Sequence, residues 1–298
     1  MATTAAATGA GEGSDKPFWT RIDPRWYSST LLTTILVVGQ WRHQILGDSY
    51  LPWIVALGTA VLAEVLARRA LGLAGANFLS AYISGNSVAI LLKPQGDLLW
   101  PFVVCSLLSI LSKHVLQWRG RHLWNPTNLG VCALLLLAPT QVSMLSHQWG
   151  NDLAFVALLW LVGGATTLRA RVVHISLAWL AAFVAFAWLR SVVLPQGTFV
   201  GELMPVTGPM YTLFLFFMVT DPKTTVRTKG GQMAVAVLVA AFECLVRFAC
   251  ELDLLAATNP LCVAPPMYAL FLVGPAALAW SMRADPRAAR GGAAPARA

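Results

Sequence analysis

Apolar segments about as long as a bilayer is thick recur along this chain, and short stretches between them carry most of its charge. A helix rises about 1.5 Å per residue, so about 20 residues cross a hydrocarbon core about 30 Å thick. Segments near 28–46, 51–70, 77–93, 98–116, 126–146, 152–168, 172–194, 203–221, 232–250 and 260–282 meet that requirement. A soluble domain has roughly 25% charged residues with which to cover its surface. Here 11% are charged and 57% are hydrophobic, so the surface must face lipid. The sequence predicts an all-α, polytopic integral membrane protein with about ten transmembrane helices. Residues 1–26 and 283–298 read as disordered cytoplasmic tails, 27–146 as a first five-helix half, and 147–282 as a second.

The positions of Lys and Arg test this count, because basic residues collect in loops that stay in the cytoplasm. With the N-terminus inside, 17 of the 21 basic residues fall on the cytoplasmic side; only Arg42, Lys93, Arg190 and Arg247 fall outside. One span more or fewer would invert everything after it and destroy the asymmetry. Both termini are therefore expected in the cytoplasm, with the chain multi-pass in the inner (cytoplasmic) membrane. The net charge of +8 is accounted for by topology, and the expected partner is the lipid bilayer, not nucleic acid. Cys105, Cys132, Cys244, Cys250 and Cys262 lie in or beside apolar runs without a Cys-x-x-Cys pair. They read as small buried hydrophobes, with no disulfide framework and no metal site. No Gly-rich nucleotide loop and no nucleophile–base motif is present.

Ten spans divide into five and five, and an odd number per half makes a duplicated unit insert upside down relative to its copy. The third segment carries Ser84-Gly85-Asn86 and the eighth Thr207-Gly208-Pro209; the fifth opens on Asn125-Pro126 and the tenth on Asn259-Pro260. This predicts a 5+5 inverted repeat. Glycine-interrupted spans three and eight would meet near the middle, where unwound backbone is tolerated only if it is buried or lines a cavity. Ser84, Gly85, Asn86, Thr207 and Gly208, with Glu64 of span two, are the candidate midplane site.

Two stretches resemble a known family. Trp124-Asn125-Pro126-Thr127-Asn128-Leu129-Gly130 is similar to the Asn-Pro helix start of the RnfD/NqrB family of membrane electron-transport subunits. Phe216-Phe217-Met218-Val219-Thr220-Asp221-Pro222 is similar to that family's Phe-Phe-Met-x-Thr-Asp-Pro signature. The chain most resembles the short branch called enediyne biosynthesis protein UnbU, with which it shares the Asn-Pro-Thr-Asn start, the Asp-Pro-x-Thr-Thr end and a span-two Glu, here Glu64. The resemblance covers roughly residues 50–280 and implies a ten-helix redox subunit, a non-covalent flavin (FMN or riboflavin) or a quinone, and membrane or redox partner subunits. The family's covalent FMN sits on a Ser-Gly-Ala-Thr segment between spans five and six. The short connection here, about Thr140 to Asn151, contains none, and Gly163-Gly164-Ala165-Thr166-Thr167 falls on the wrong side. Covalent FMN is not expected.

Each candidate residue has two readings. Glu64 relays protons or holds a cation, or it pairs with Arg68 one turn on. Asn125 and Asn128 bind an anionic group at a helix start, or they cap and pack. Asp221, Lys223, Thr224 and Thr225 hold a phosphate or a flavin ribityl chain, or they form a helix stop with a positive loop. Glu243, Arg247 and Glu251 read as a charge ladder, Lys113 and His114 as residues reaching for the interface, and Trp53, Trp100, Trp118 and Trp124 as an interfacial belt. Two functions remain open: a subunit of membrane electron transport tied to enediyne-type biosynthesis, or a transporter or channel for a small or hydrophobic solute.

Overall fold

The computed structural model describes residues 24–284 apart from 74, 76, 145–151 and 196. Most of the two predicted tails, and the boundary between the halves at 146/147, lie outside the described residues. The chain is all-α, with two small β-ladders. The helices are α1 Pro24–His43, α2 Leu51–Ala70, α3 Phe78–Leu91, α4 Trp100–Val115, α5 Pro126–Leu137, α6 Leu153–Arg169, α7 Val173–Val193, α8 Phe199–Leu203, α9 Pro209–Leu213, α10 Lys229–Glu251, α11 Pro260–Val263 and α12 Pro265–Ala284. Every predicted segment contains at least one helix. Helix α1 begins inside the stretch expected to be tail, because Pro24 suits a first turn.

Four helices, α2, α7, α10 and α12, are long and apolar enough to cross a membrane, and the bent run from α8 through Met218 makes a fifth. Helices α3, α4, α5 and α6 are apolar but shorter, at 10–17 residues. Large apolar side chains point outward all round the bundle, among them Trp41 (79% exposed), Leu137 (76%) and Trp280 (76%). Exposed apolar surface on that scale is foreign to a soluble monomer.

Polar contacts sort the helix ends onto two faces. At one face, Glu64 near the end of α2 meets His114 near the end of α4 and the amide of Asn77 before α3. Arg119 in the α4–α5 connection donates to the Met282 carbonyl near the end of α12. His174 at the start of α7 meets Gln232 at the start of α10. At the opposite face, β1 Leu92–Pro94 after α3 pairs antiparallel with β4 Val142–Met144 after α5, Lys93 opposite Ser143. There too Arg42 at the end of α1 pairs with Asp152 at the start of α6, at 3.1 Å. Among the described residues twelve Lys and Arg lie at the first face, and only Arg42, Lys93, Arg190 and Arg247 at the second. The first is therefore the basic end.

Helix α2 packs on α3 and α4, and α4 on α5; α7 packs on α10, α10 on α12, and α5 meets α12. Trp179, Phe183 and Phe214 are among the largest fully buried side chains. The eighth segment breaks where expected. Gly208, before Pro209, is held extended (φ −85°, ψ 161°), and the arms on either side bend by 67°. Beyond the break, α9 runs into a π-helical turn, Phe214–Met218, and the Leu215 carbonyl accepts from the Ser176 hydroxyl of α7. The third segment corrects the expectation. Ser84-Gly85-Asn86 lies inside an unbroken α3. Glycine serves helix contact there: a Cβ on Gly85 would sit 2.8 Å from Leu57 Cα.

The cysteine reading is also corrected. Cys105, Cys132 and Cys244 are buried and free, but Cys250 and Cys262 form a disulfide that ties the end of α10 to α11. Twelve residues separate them, and the chain reversal between α10 and α11 brings them to a Cα–Cα distance of 5.8 Å.

Candidate functional site

A cavity of about 480 Å³ opens between the helix ends at the basic face. Its walls come from both halves of the chain. Ser80, Ser84 and Ser87 stand on one face of α3, at spacings of four and three residues. Asn125 opens α5, Thr166 and Thr167 close α6, and Phe216, Phe217 and Met218 belong to the π-helical turn. Asp221 and Lys223 line the mouth.

Asn125 caps α5, its side-chain oxygen accepting from the Asn128 amide at 3.2 Å. Its Nδ2 donates to Asp221 Oδ2 at 3.3 Å. The other Asp221 oxygen accepts from the Lys223 amide at 3.0 Å, and the Asp221 carbonyl accepts from the Thr224 hydroxyl. These bonds fix the turn that ends the eighth segment. Arg121 of β3 (Arg121–His122) ties the same turn down by donating to the carbonyls of Pro222, Lys223 and Thr225.

Lys113 does not reach for the interface as expected, a correction to the sequence reading. Its side chain turns inward and is buried (9% exposed), and its ammonium donates to Ser84 Oγ at 2.7 Å, Ser80 Oγ at 3.0 Å and the Ser80 carbonyl at 3.1 Å. The cause is local: α3 presents hydroxyls where a buried ammonium needs acceptors. The neighbouring His114 also points inward, onto Glu64 at 3.1 Å. Glu64 is thus held by His114 and the Asn77 amide, with Arg68 at 4.0 Å. It lies in the last third of α2, toward the basic face.

His122, on the β2–β3 hairpin (Gln117–Trp118 with Arg121–His122), also lines the cavity. Burial, and then the positive charges of Lys223, Lys113 and His114, push its imidazole down to about 4, so it is neutral at pH 7. Its Nδ1 is buried without a hydrogen-bond partner. Phe216 reaches the cavity over Gly163, where a Cβ would collide with the ring, and packs edge-on to Trp160.

Of the sequence candidates, Asn125, Asp221, Lys223 and Ser84 come together here. The rest do not line the cavity. Asn128 donates to the Met267 carbonyl and locks α5 to α12. Thr224 and Thr225 are buried in the turn, Gly85 faces α2, and Asn86 accepts from Trp53 Nε1 at 2.8 Å. Trp124 likewise donates its indole N–H, to the Phe271 carbonyl. Sequence reading missed Lys113, His122, Thr166 and Thr167. The serine spacing on α3 was the available signal for Lys113.

A second pocket, about 300 Å³, opens at the opposite face beside the break at Gly208. Arg247, Glu251, Tyr211 and the Cys250–Cys262 disulfide line it. The predicted ladder holds in part: Glu243 pairs with Arg247 at 3.4 Å. Arg247 also reaches Glu202 (3.3 Å) and the Tyr211 hydroxyl (2.9 Å), and Arg190 closes on Glu202 at 2.7 Å. A network across α7, α8, α9 and α10 replaces a ladder on one helix.

No protein-family model and no curated protein matches this chain.

Proposed function

We propose that this chain is an RnfD/NqrB-like membrane subunit that holds a non-covalent flavin or quinone in the basic-end cavity. Its role on this reading is membrane electron transport, tied to enediyne-type biosynthesis. The chain crosses the membrane ten times in two inverted halves, with both termini cytoplasmic. One observation carries the reading. The two stretches that carry the resemblance, 96 residues apart, meet in the Asn125–Asp221 hydrogen bond at the cavity mouth.

Several features support the topology. Helix ends alternate between two faces, and twelve of the sixteen described basic residues sit at one of them. The disulfide lies at the other, which fits an oxidising outer compartment. The order α2 on α4 on α5 recurs as α7 on α10 on α12, which supports the repeat.

The lining fits a flat ring system with a polar edge. Phe216, Phe217, Met218 and Ile83 offer an apolar wall, and Lys113, Asn125 and Lys223 offer polar groups. The volume lies in the range of small-molecule sites, roughly 300–1,000 Å³. A bound flavin or quinone supplies one- and two-electron transfer. Phe216 and Met218 would keep water from its faces, while Asn125 and Lys113 would orient its polar edge. Purification in mild detergent, followed by an absorbance spectrum and extraction, tests the reading. About one flavin or quinone per chain, lost in Asn125→Ala, is the expected result. A protein without either, and without a co-purifying redox partner, would refute it.

A transporter or channel for a small or hydrophobic solute is the second reading. What favours it is the bent eighth segment, which has Gly208 and Tyr211 in the outer pocket and Phe217 and Met218 in the inner cavity. Solute flux into proteoliposomes no faster than into empty vesicles counts against it.

A further inference from the structure

Charge is unbalanced in the basic-end cavity. Arg25, Lys113 and Lys223 line it, and Asp221 is the only carboxylate among its described lining residues. Asp221 is already committed, one oxygen to Asn125 and the other to the Lys223 amide. Glu64, the next carboxylate in reach, is engaged by His114 and the Asn77 amide. The Lys113 ammonium is therefore hydrogen-bonded to neutral oxygens alone, two hydroxyls and a carbonyl; among the described residues no carboxylate comes within ion-pair distance, and the charges of Glu64 and Asp221 reach it only from farther off. A buried cation hydrogen-bonded only to dipoles sits in a site that favours a negative guest, since a low-dielectric interior leaves its charge poorly compensated.

The groups around it add no negative charge. His122, on the cavity wall, is held neutral. Thr166 and Thr167 spend their hydroxyl protons on the carbonyls of Val162 and Gly164 and add no charge. Phe216, Phe217 and Ile83 add apolar surface to the same lining.

We propose that the cavity selects an amphipathic anion, a flat apolar body carrying a phosphate monoester or carboxylate, and that Lys113, with Lys223 at the mouth, receives the oxyanion. Lys113 is then the residue that determines specificity, and α3 positions it through Ser80 and Ser84. The inference rests on the cavity being a ligand site, and the experiment separates the two claims.

The full chain, purified and freed of bound cofactor, is titrated with FMN and with riboflavin, which differ by the phosphate alone. A second pair, retinoic acid and retinol, tests a carboxylate on a body unrelated to flavin. The expected result is that the charged member of at least one pair binds ten-fold or more tightly than its neutral partner. Lys113→Gln abolishes the preference within the pair, and a melting temperature close to that of the native protein reports that the variant folds. Lys113→Arg retains most of the preference. Equal affinity within both pairs overturns the anion assignment and leaves the ligand site standing. So does a Lys113→Gln variant that keeps the preference. Failure of all four probes to bind overturns the site and the assignment together.

Discussion

Gly85 offers the sharpest test of how the cavity is built. A methyl added there would lie 2.8 Å from Leu57 Cα, 3.2 Å from the Ala56 carbonyl oxygen and 3.3 Å from Ala60 Cβ. Carbon atoms in good contact stand about 3.5–4.0 Å apart, so α3 must retreat from α2 by roughly 0.7 Å or more. Two of the three obstacles are backbone atoms, which cannot swing aside. Overpacking of this kind costs about 1–3 kcal/mol. Against it stands the gain of about 1 kcal/mol from Gly to Ala inside a helix. A methyl added to Gly58, on α2, would meet nothing within 4 Å, so that position isolates the gain. Gly58→Ala is therefore expected to stabilise by up to about 1 kcal/mol, and Gly85→Ala to fall below it by about 1–3 kcal/mol. That gap is roughly 5-fold to 150-fold in the unfolding constant, since 1.4 kcal/mol is a factor of ten. Reversible unfolding in mixed micelles, followed by Trp fluorescence, measures it. Ser84 moves with α3 and disturbs the seat of Lys113, so affinity for a charged ligand should also change in Gly85→Ala and hold in Gly58→Ala. Indistinguishable unfolding of the two variants would refute the reasoning.

Two further outcomes follow from the structure. Cys250→Ser opens a loop closed over a separation of 12 residues and should cost about 2–3 kcal/mol on the chain-entropy account, read as a lower melting temperature that reductant reproduces in the native protein; a melting temperature indifferent to reductant would show that the bond is absent. His122 has its folded-state pKa held down to about 4, below an ordinary value near 6.5, so the unfolded chain binds more protons between those limits. Its contribution to stability is complete above pH 6.5 and falls as pH drops toward 4, and His122→Gln should flatten that part of the stability–pH curve.

Much of the fold was legible because it is written in long patterns. Each apolar segment contains a helix, and the Asn-Pro and Gly-Pro pairs marked real starts and breaks: Asn125 and Asn259 cap their helices, and Gly208 lies at the bend. Glycine inside α3 misled, because sequence does not distinguish a glycine that breaks a helix from one that lets another helix approach. Only the neighbour Leu57 decides. The disulfide was hidden for a related reason, since Cys250 and Cys262 are brought together by a chain reversal and not by their spacing. The cavity was half legible. Asn125, Asp221 and Lys223 stood out as polar residues at helix ends. Lys113 looked like any basic residue near an interface, and its inward turn depends on serines thirty-three and twenty-nine residues earlier.

The two ends of the bundle use charge in opposite ways, and this bears on which end binds a ligand. At the end opposite the cavity Arg190, Glu202, Arg247 and Glu243 answer one another across three helices, and the Tyr211 hydroxyl of α9 donates to Glu243 at 2.6 Å. Removing one partner from such a buried set leaves its neighbour uncompensated, a penalty of about 3–5 kcal/mol, so the network has the character of a staple around the break at Gly208. At the basic end Lys113 has only serine and carbonyl oxygens. Those charges stand within contact distance of opposite ones, whereas among the described residues the Lys113 ammonium does not, so a charged guest has more to gain at the basic end. The same helix relationships, α2 with α4 and α7 with α10, thus frame a paired set of charges on one face and an incomplete one on the other. The incomplete one sits where Asn125 and Asp221 join the two halves of the chain.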